Sequence, residues 1–216
     1  MCWVSRPSCR KKCATGGERR WALADPVWGI WELPDAGIEL LPAELSGRDA
    51  IELGCGTGYV SAWMARRGAR VVGIDNSAQQ LATARRLAAA HGVELTLVHG
   101  DAEAVDHPDA SFDFAVSEYG AAIWCDPYRW IPEAHRLLRP GGMLLVTFHV
   151  GSEVEHLDVW WEKSVDLDFA FYQPGEVEEW LEEAGFELEE TLLREPNPEV
   201  EVATRRAYLF ARKPLG

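Results

Sequence analysis

Short apolar runs alternate with amphipathic stretches along most of the chain. The runs predict five strands, at residues 50–53, 70–74, 94–98, 112–116 and 143–149. Between them, Val60, Trp63 and Met64 share one face of a predicted helix at 59–67, and a longer helix is predicted at about 77–91. Strands that alternate with helices in this way indicate a parallel sheet covered by helices.

The last third of the chain has a different pattern. Residues 152–163 form an amphipathic, Trp-containing segment that we expect to be helical and inserted above the sheet. Apolar positions recur at helical spacing between Pro174 and Gly185. The segments 186–193 and 205–211 then predict an antiparallel pair that closes the sheet.

The first predicted strand runs into three glycines at alternate positions, in the sequence Glu-Leu-Gly-Cys-Gly-Thr-Gly at 52–58. A strand that turns abruptly and presents bare backbone to a ligand needs residues without a Cβ. The helix behind the turn offers unpaired N–H groups and the positive end of its dipole to a carboxylate or phosphate. The dinucleotide-binding fingerprint G-x-G-x-x-G would need a third glycine where this chain has Tyr59.

This glycine variant resembles the first motif of the class I S-adenosylmethionine-dependent methyltransferases, and four further segments resemble their later motifs. In chain order, the five segments are 52–58, 71–77, 100–103, 112–117 and 136–142. Together they cover roughly residues 48–150. The resemblance implies an α/β, doubly wound, Rossmann-like fold. Its sheet is expected to be seven-stranded and mostly parallel, with an antiparallel C-terminal strand and helices on both faces.

The resemblance also implies that S-adenosylmethionine is the cofactor, with its methionine end against the glycine turn. The positions expected to contact it are Glu52, Gly54, Cys55, Gly56, Gly58, Asp75, Asn76, Asp101, Ala102 and Ser117. Among these, Glu52 is expected to meet the amino group, Asp75 the two ribose hydroxyls and Asp101 the adenine amino group. Simple turn chemistry or helix capping remains an alternative for the two aspartates.

The sequence identifies the residues around the methyl acceptor less specifically than those around the cofactor. Methyl transfer from a sulfonium is an in-line displacement that positioning alone can accelerate, so we assign no catalytic residue. Glu118, Tyr119 and His149 follow the fourth and fifth strands and are candidates for the acceptor pocket, with a structural role as the alternative. Three tryptophans, Trp28, Trp31 and Trp124, are candidates for an aromatic pocket wall, although core packing explains most tryptophans.

The charge, the apolar runs and the cysteines of the chain limit the classes of partner and the location that we expect. The formal charge of −14 argues against nucleic acid, and no apolar run approaches the ~18–20 residues of a membrane span. Residues 1–20 carry six basic residues against Glu18, together with Cys2, Cys9 and Cys13, and are expected to form a loose tail. The cysteine spacing completes no metal site, and nothing demands an oxidising compartment, so we predict no metal and a cytoplasmic location.

We therefore expect a tail at 1–20 and one methyltransferase domain at 21–216. Within the domain we expect an N-terminal helical segment at 21–47, a cofactor-binding core at 48–150 and a substrate-side insertion with the closing strands at 151–216. The predicted activity is methyl transfer to a small molecule. Two alternatives stay open, which are an S-adenosylmethionine-binding protein without catalysis and an NAD-linked oxidoreductase on a related fold.

Overall fold

The computed structural model describes residues 18–29, 31–35, 38–160 and 163–216. The predicted loose tail, including its three cysteines, lies almost wholly outside the described residues. Within the described part, no helix is long and apolar enough to cross a membrane.

Seven strands of the described chain form one sheet: β3 (Asp49–Leu53), β4 (Arg70–Asp75), β5 (Thr96–His99), β6 (Phe112–Glu118), β7 (Leu138–His149), β10 (Glu187–Arg194) and β11 (Arg206–Arg212). Their order across the sheet is β10-β11-β7-β6-β3-β4-β5. Neighbouring strands from β7 to β5 are parallel, whereas β11 is antiparallel to both β7 and β10. The predicted mostly parallel sheet with an antiparallel C-terminal strand is confirmed.

Five helices of the described chain connect these strands or cover the sheet: α1 (Tyr59–Arg66), α2 (Ala78–His91), α3 (Ala121–Trp124), α4 (Pro127–Leu137) and α5 (Pro174–Glu183). Their ends follow the sequence signals. Ser77 caps α2 by accepting from Gln80 N, and Gly92 ends that helix with a φ of 64°. Asp126 caps α4 by accepting from Tyr128 N.

The apolar side chains divide into two clusters that lie on the two faces of the sheet. One contains Ile51, Leu144 and Leu209, and the other contains Ala50, Leu145 and Tyr208. Successive strand residues enter different clusters, as side chains that alternate across a pleated sheet must do. Because both faces are covered, the carboxyl ends of the parallel strands form the exposed edge at which α/β proteins bind ligands.

The prediction of a helix at 152–163 is wrong. The segment lies in a hairpin of β8 (Val154–Trp160) and β9 (Lys163–Ala170), whose strands are antiparallel. Val154 and Val159 remain exposed, and the buried positions are Leu157 and Phe169. β-branched residues suit a half-solvated strand, so the apolar residues spaced along this segment follow the hairpin and not a helical face.

The predicted helical segment at 21–47 is also not helical beyond Trp21 in its described residues. It contains the short pair β1 (Val27–Trp28) and β2 (Leu33–Pro34), joined by turns. Trp21, Leu40 and Leu45 are almost fully buried and cover one face of the sheet. The segment therefore contributes to the core through extended chain and turns.

Candidate active site

The turn after β3 is the first part of the site. Gly54, Gly56 and Gly58 all have positive φ, between 51° and 79°, a conformation that side chains with a Cβ rarely adopt. A Cβ on Gly54 would lie 2.7 Å from Ala121 N, so this turn packs backbone to backbone against the turn after β6. A Cβ on Gly56 would meet nothing within 4 Å, which leaves the peptide backbone facing open space.

Asp75, at the end of β4, fixes the glycine turn from the side. Its Oδ2 accepts from Gly56 N at 2.7 Å and its Oδ1 accepts from Ser77 N at 2.8 Å. Each carboxylate oxygen has a second lone pair, so the group keeps acceptor capacity after both bonds. The carboxylate is half-buried between the loops that follow β3 and β4.

Glu52 is buried beneath the same turn, with 3% of its surface exposed. Its Oε2 accepts from the backbone N–H of Ser61 at 2.7 Å and from the Ser61 hydroxyl, so it satisfies one of the free donors in the first turn of α1. Burial, with a smaller contribution from the nearby carboxylates of Glu118 and Asp75, raises the pKa of Glu52 to about 8, although the two hydrogen bonds from Ser61 oppose the rise. The side chain is therefore largely protonated near neutral pH.

The remaining predicted cofactor positions lie along the same edge. Cys55 is buried, and burial raises the pKa of its thiol. Asn76 is exposed, and its backbone carbonyl lies 2.9 Å from His99 Nε2. Exposed Asp101 accepts from Glu103 N at 2.9 Å, beside the buried methyl of Ala102.

Ser117 and Glu118 hold the end of β6. The Ser117 hydroxyl is buried and accepts from Ala122 N at 2.9 Å, which fixes the turn into α3. Glu118 Oε1 accepts from Gly29 N at 2.9 Å and so ties the N-terminal segment to the site. Burial raises the pKa of Glu118, although the Arg20 charge and the bond from Gly29 oppose that rise.

An aromatic cluster follows at the ends of β6 and β7. The His149 ring centroid lies 5.0 Å from that of Tyr119, 5.8 Å from Trp31, 5.6 Å from Phe169 and 6.0 Å from Phe171. Burial and then the charge of nearby arginines lower the pKa of His149 well below 6.5, so its ring is neutral. Burial raises the pKa of Tyr119 well above 10. Neither side chain is charged at neutral pH. The cluster is a group of uncharged rings in which Trp31 and Tyr119 are partly exposed and His149, Phe169 and Phe171 are buried.

The three candidate tryptophans have different surroundings. Trp31 belongs to the aromatic cluster and is half-buried. Trp124, in α3, is 40% exposed and stands edge-on to Phe169 at 5.2 Å. Trp28 is 1% exposed, packs in the core and donates its indole N–H to Asp35 Oδ1 at 2.6 Å. Trp28 therefore has no surface to offer an acceptor, and packing accounts for it.

A charged group at the same edge was not predicted from the sequence. Arg194, at the end of β10, forms two hydrogen bonds of 2.7 Å with the buried carboxylate of Glu201. Arg206, at the start of β11, is fully buried, lies beside His149 in the sheet register, and stacks on the Trp31 ring at 4.8 Å. Arg206 stands between Arg205 and Ala207 at the start of the predicted strand 205–211, so no local pattern distinguishes it from an exposed arginine at a strand end.

The described residues contain no group of three or more His, Cys, Asp or Glu side chains arranged to hold a metal ion. Two surface cavities, of about 450 and 370 Å³, lie away from the carboxyl edge. The larger is bordered by Leu40, Phe114 and Met143, and the smaller by Asp49 and Arg70 at the starts of their strands. Neither cavity includes the glycine turn or the aromatic cluster.

Comparison with known proteins gives the family. The family model described as "methyltransferase domain" matches residues 51–146. The chain is 32% identical over 166 residues to the chloroplastic 2-methyl-6-phytyl-1,4-hydroquinone methyltransferase 1 of Oryza sativa subsp. japonica, an alignment that covers 74% of this chain and 48% of the rice protein. The chain spans about half the length of the curated relatives it matches.

Solved structures agree on the fold. A SAM-dependent methyltransferase from Methanosarcina mazei superposes with a TM-score of 0.71 at 20% identity, covering 85% of this chain and 99% of that one. The [4+2]-cyclase SpnF superposes with a TM-score of 0.68 at 26% identity, covering 84% and 80%. With the matched domain, the strand order and the glycine turn taken together, the chain belongs to the class I S-adenosylmethionine-dependent methyltransferases.

Proposed function

We propose that this protein transfers a methyl group from S-adenosylmethionine to a small-molecule acceptor by in-line displacement. The observation that carries the proposal is the turn after β3, in which Gly56 turns its backbone to open space while Asp75 holds the turn from β4. That arrangement suits a ligand with an amino-acid end and a ribose, because the first needs close backbone contact and the second needs a carboxylate acceptor.

The residues present fit the cofactor. Glu52, buried under the turn, would meet the amino group, half-buried Asp75 would accept from the ribose hydroxyls, and exposed Asp101 would accept from the adenine amino group. Gly54 and Gly58 keep the backbone close, while Cys55, Asn76, Ala102 and Ser117 complete the walls. The positions follow the ends of β3, β4, β5 and β6, four neighbouring strands of one edge, so a single extended ligand can span them.

When bound, the cofactor supplies a methyl group on a sulfonium sulfur. Transfer of that methyl group leaves the sulfur as a neutral thioether. The protein's contribution is to orient the acceptor and to exclude water, which together can lower the barrier by several kcal/mol without an acid or base. The neutral side chains of Tyr119 and His149 and the ring of Trp31 form the wall that positions the acceptor. Any proton on the acceptor atom leaves to solvent after the transfer.

Two measurements test this proposal. Titration calorimetry with S-adenosylhomocysteine is expected to give one site per chain, whereas NAD gives no heat. Incubation with methyl-labelled S-adenosylmethionine and a library of small acceptors is expected to transfer label to at least one of them. Asp75→Asn serves as the matched variant for binding, and Glu187→Gln, an exposed carboxylate on β10, serves as its control.

The outcomes separate the alternatives. Heat with NAD and none with S-adenosylhomocysteine would reverse the assignment in favour of an oxidoreductase. Binding of S-adenosylhomocysteine without label transfer to any acceptor would favour a protein that keeps the cofactor site for another purpose. The similarity to a [4+2]-cyclase gives a reason to test for that second outcome, because the fold supports reactions other than methyl transfer.

A further inference from the structure

Arg206 is the least explained charged group of the described chain. Its side chain has no exposed surface, and its Nη1 donates to the Thr204 carbonyl and hydroxyl oxygens. Its Nε and Nη2 have no hydrogen-bond partner among the described residues. Glu201 Oε1 lies 3.2 Å from Nη2, near enough for an ion pair but not aligned for a hydrogen bond. Buried donors without partners are rare in native proteins and require an explanation.

The two unsatisfied nitrogens are on the same side of the guanidinium. Nε–H and the adjacent Nη2–H point in parallel along that side, and this pair of donors matches the two oxygens of a carboxylate. Glu201 does not fill this role. Both of its oxygens are aligned with Arg194, and only Oε1 approaches Arg206, at 3.2 Å from Nη2 and out of hydrogen-bond alignment, so that Nε has no partner at all in the described part of the chain. The guanidinium therefore presents a bidentate anion site to whatever lies beside it.

The positive charge around Arg206 is also not fully balanced. Arg194, Glu201 and Arg206 form one group with two positive charges and one negative charge, in which Glu201 and Arg206 are fully buried and Arg194 is partly exposed. A buried charge without compensation is costly, and here it persists in a chain whose formal charge is −14. One further negative charge, brought by a ligand, would balance the group.

The surroundings of Arg206 are aromatic. The Cζ atom lies 4.8 Å over the Trp31 ring, and the strand register sets Arg206 opposite His149, whose ring contacts Tyr119, Phe169 and Phe171. These rings come from the N-terminal segment, the ends of β6 and β7, and the region of the hairpin β8–β9. A flat molecule that entered here would lie between apolar rings with its charged end at the guanidinium.

From these observations we propose that the methyl acceptor is an aromatic carboxylic acid, anchored by a bidentate pair between its carboxylate and Nε and Nη2 of Arg206. This inference rests on the proposed function. The carboxylate is the anchor and not the methylated group, because β11 is two strands away from β6, or ~10 Å along the edge. The reacting atom lies at the far end of the ring, toward the ends of β6 and β3. The rings of the cluster, now in mutual contact, separate to admit it.

The experiment uses the full chain saturated with S-adenosylhomocysteine. Hydroxy-, amino- and indole-carboxylic acids are each compared with the corresponding neutral primary amide by calorimetry. We expect the best acid to bind about tenfold or more tightly than its amide, the effect of a charge-assisted bidentate pair. Arg206→Lys keeps the charge but loses the two-donor geometry, so the acid and amide affinities are expected to become similar. Arg212→Gln, on the same strand, is expected to keep the preference.

A structural role for Arg206 is tested separately. Arg206→Met removes a buried charge whose ion pair with Glu201 is poorly aligned, and it leaves Glu201 bonded to Arg194, so its melting temperature is expected to equal or exceed that of the wild type. A large fall would mean that Arg206 serves stability. If the variants fail to fold, the wild type still gives an answer, since the Arg206 Nε–H resonance is expected to shift with the acid and not with the amide.

Failure of this inference is distinguishable from failure of the proposed function. If the folded protein does not bind S-adenosylhomocysteine, the proposed function is lost. If it binds that ligand but shows equal affinity for acids and amides, or if Arg206→Lys retains the preference, only the anchoring role of Arg206 is overturned.

Discussion

Glu52 leads to a quantitative prediction about cofactor binding. In the free protein its carboxyl group is buried, bonded to Ser61, and has a pKa of about 8. A cofactor that brings a positively charged amino group next to it favours the ionised form. Binding is therefore expected to release the proton that Glu52 carries, and Glu52→Gln is expected to abolish that release.

The size of the effect follows from the pKa. At a pKa of about 8, roughly nine in ten Glu52 side chains are protonated at pH 7, so binding releases about 0.9 proton per site. Below pH 8 the affinity is expected to rise about tenfold for each pH unit, because each unit lowers the cost of deprotonation by about 1.4 kcal/mol. Measurements belong between pH 6 and 7, where an α-amino group with a pKa near ~7.7–8.0 is itself still charged.

The assay is titration of S-adenosylhomocysteine in buffers of different ionisation enthalpy. The slope of the observed enthalpy against the buffer enthalpy gives the number of protons released. The same raised pKa has a consequence for folding: the stability from protonated Glu52 is fully present below pH 4.5 and is lost as pH rises through about 8. Urea unfolding of the wild type and of Glu52→Gln across this range measures that loss.

Two results would refute the reasoning. One is a proton number near zero at pH 6.5 in the wild type, which would mean that Glu52 is already ionised or remains protonated in the complex. The other is proton release that persists in Glu52→Gln, which would assign the proton to another group. Glu187→Gln, which changes an exposed carboxylate, is expected to behave as the wild type in both measurements.

Three further predictions test other parts of the site. Asp75→Ala is expected to weaken S-adenosylhomocysteine binding by ~1.5–3 kcal/mol, the scale of a lost charge-assisted hydrogen bond, and unchanged affinity in calorimetry would contradict the assigned contact. Gly54→Ala is expected to lower the free energy of unfolding by roughly 2–5 kcal/mol in urea titrations, because its Cβ would lie 2.7 Å from Ala121 N at a φ of 79°. The His149 ring is expected to stay neutral in proton NMR titrations from pH 8 to pH 5.5, since its pKa lies well below 6.5, and a midpoint near 6.5 would contradict its burial. For the same reason its contribution to stability is present above pH 6.5 and is lost as pH falls.

The geometry of the proposed cofactor site could be predicted because it is local. Gly54, Gly56 and Asp75 follow immediately after strands, and the apolar runs that predict those strands also fix which edge their ends share. A positive φ at each glycine is required by the turn itself, so residue type and position carried the information. The sequence pattern could not predict the protonation state of Glu52, because its raised pKa depends on burial by distant parts of the chain.

The acceptor half could not be predicted to the same degree, because tertiary contacts decide it. Residues 152–163 carry apolar residues at spacings compatible with either a helix or a hairpin, and only the pairing of β8 with β9 distinguishes them. Trp28 and Trp31 look alike in the sequence, yet one lies in the core and the other in the aromatic cluster. Arg206 meets Trp31 across 175 positions of sequence, a contact that no local pattern encodes.

We propose that Glu52 and Arg206 together determine which ligands the site binds. Each is a buried ionisable group that lacks an opposite charge of matching geometry, and each lowers stability in the free protein, as residues that serve function often do. They lie on strands three positions apart in the sheet, or ~14 Å along the edge, so one ligand's amino group and another ligand's carboxylate can compensate them independently. At that separation the two stabilising effects are expected to add. A rise in melting temperature with both ligands that clearly exceeds the sum of the separate rises would instead mean that the ligands contact each other, or that the first closes the site around the second.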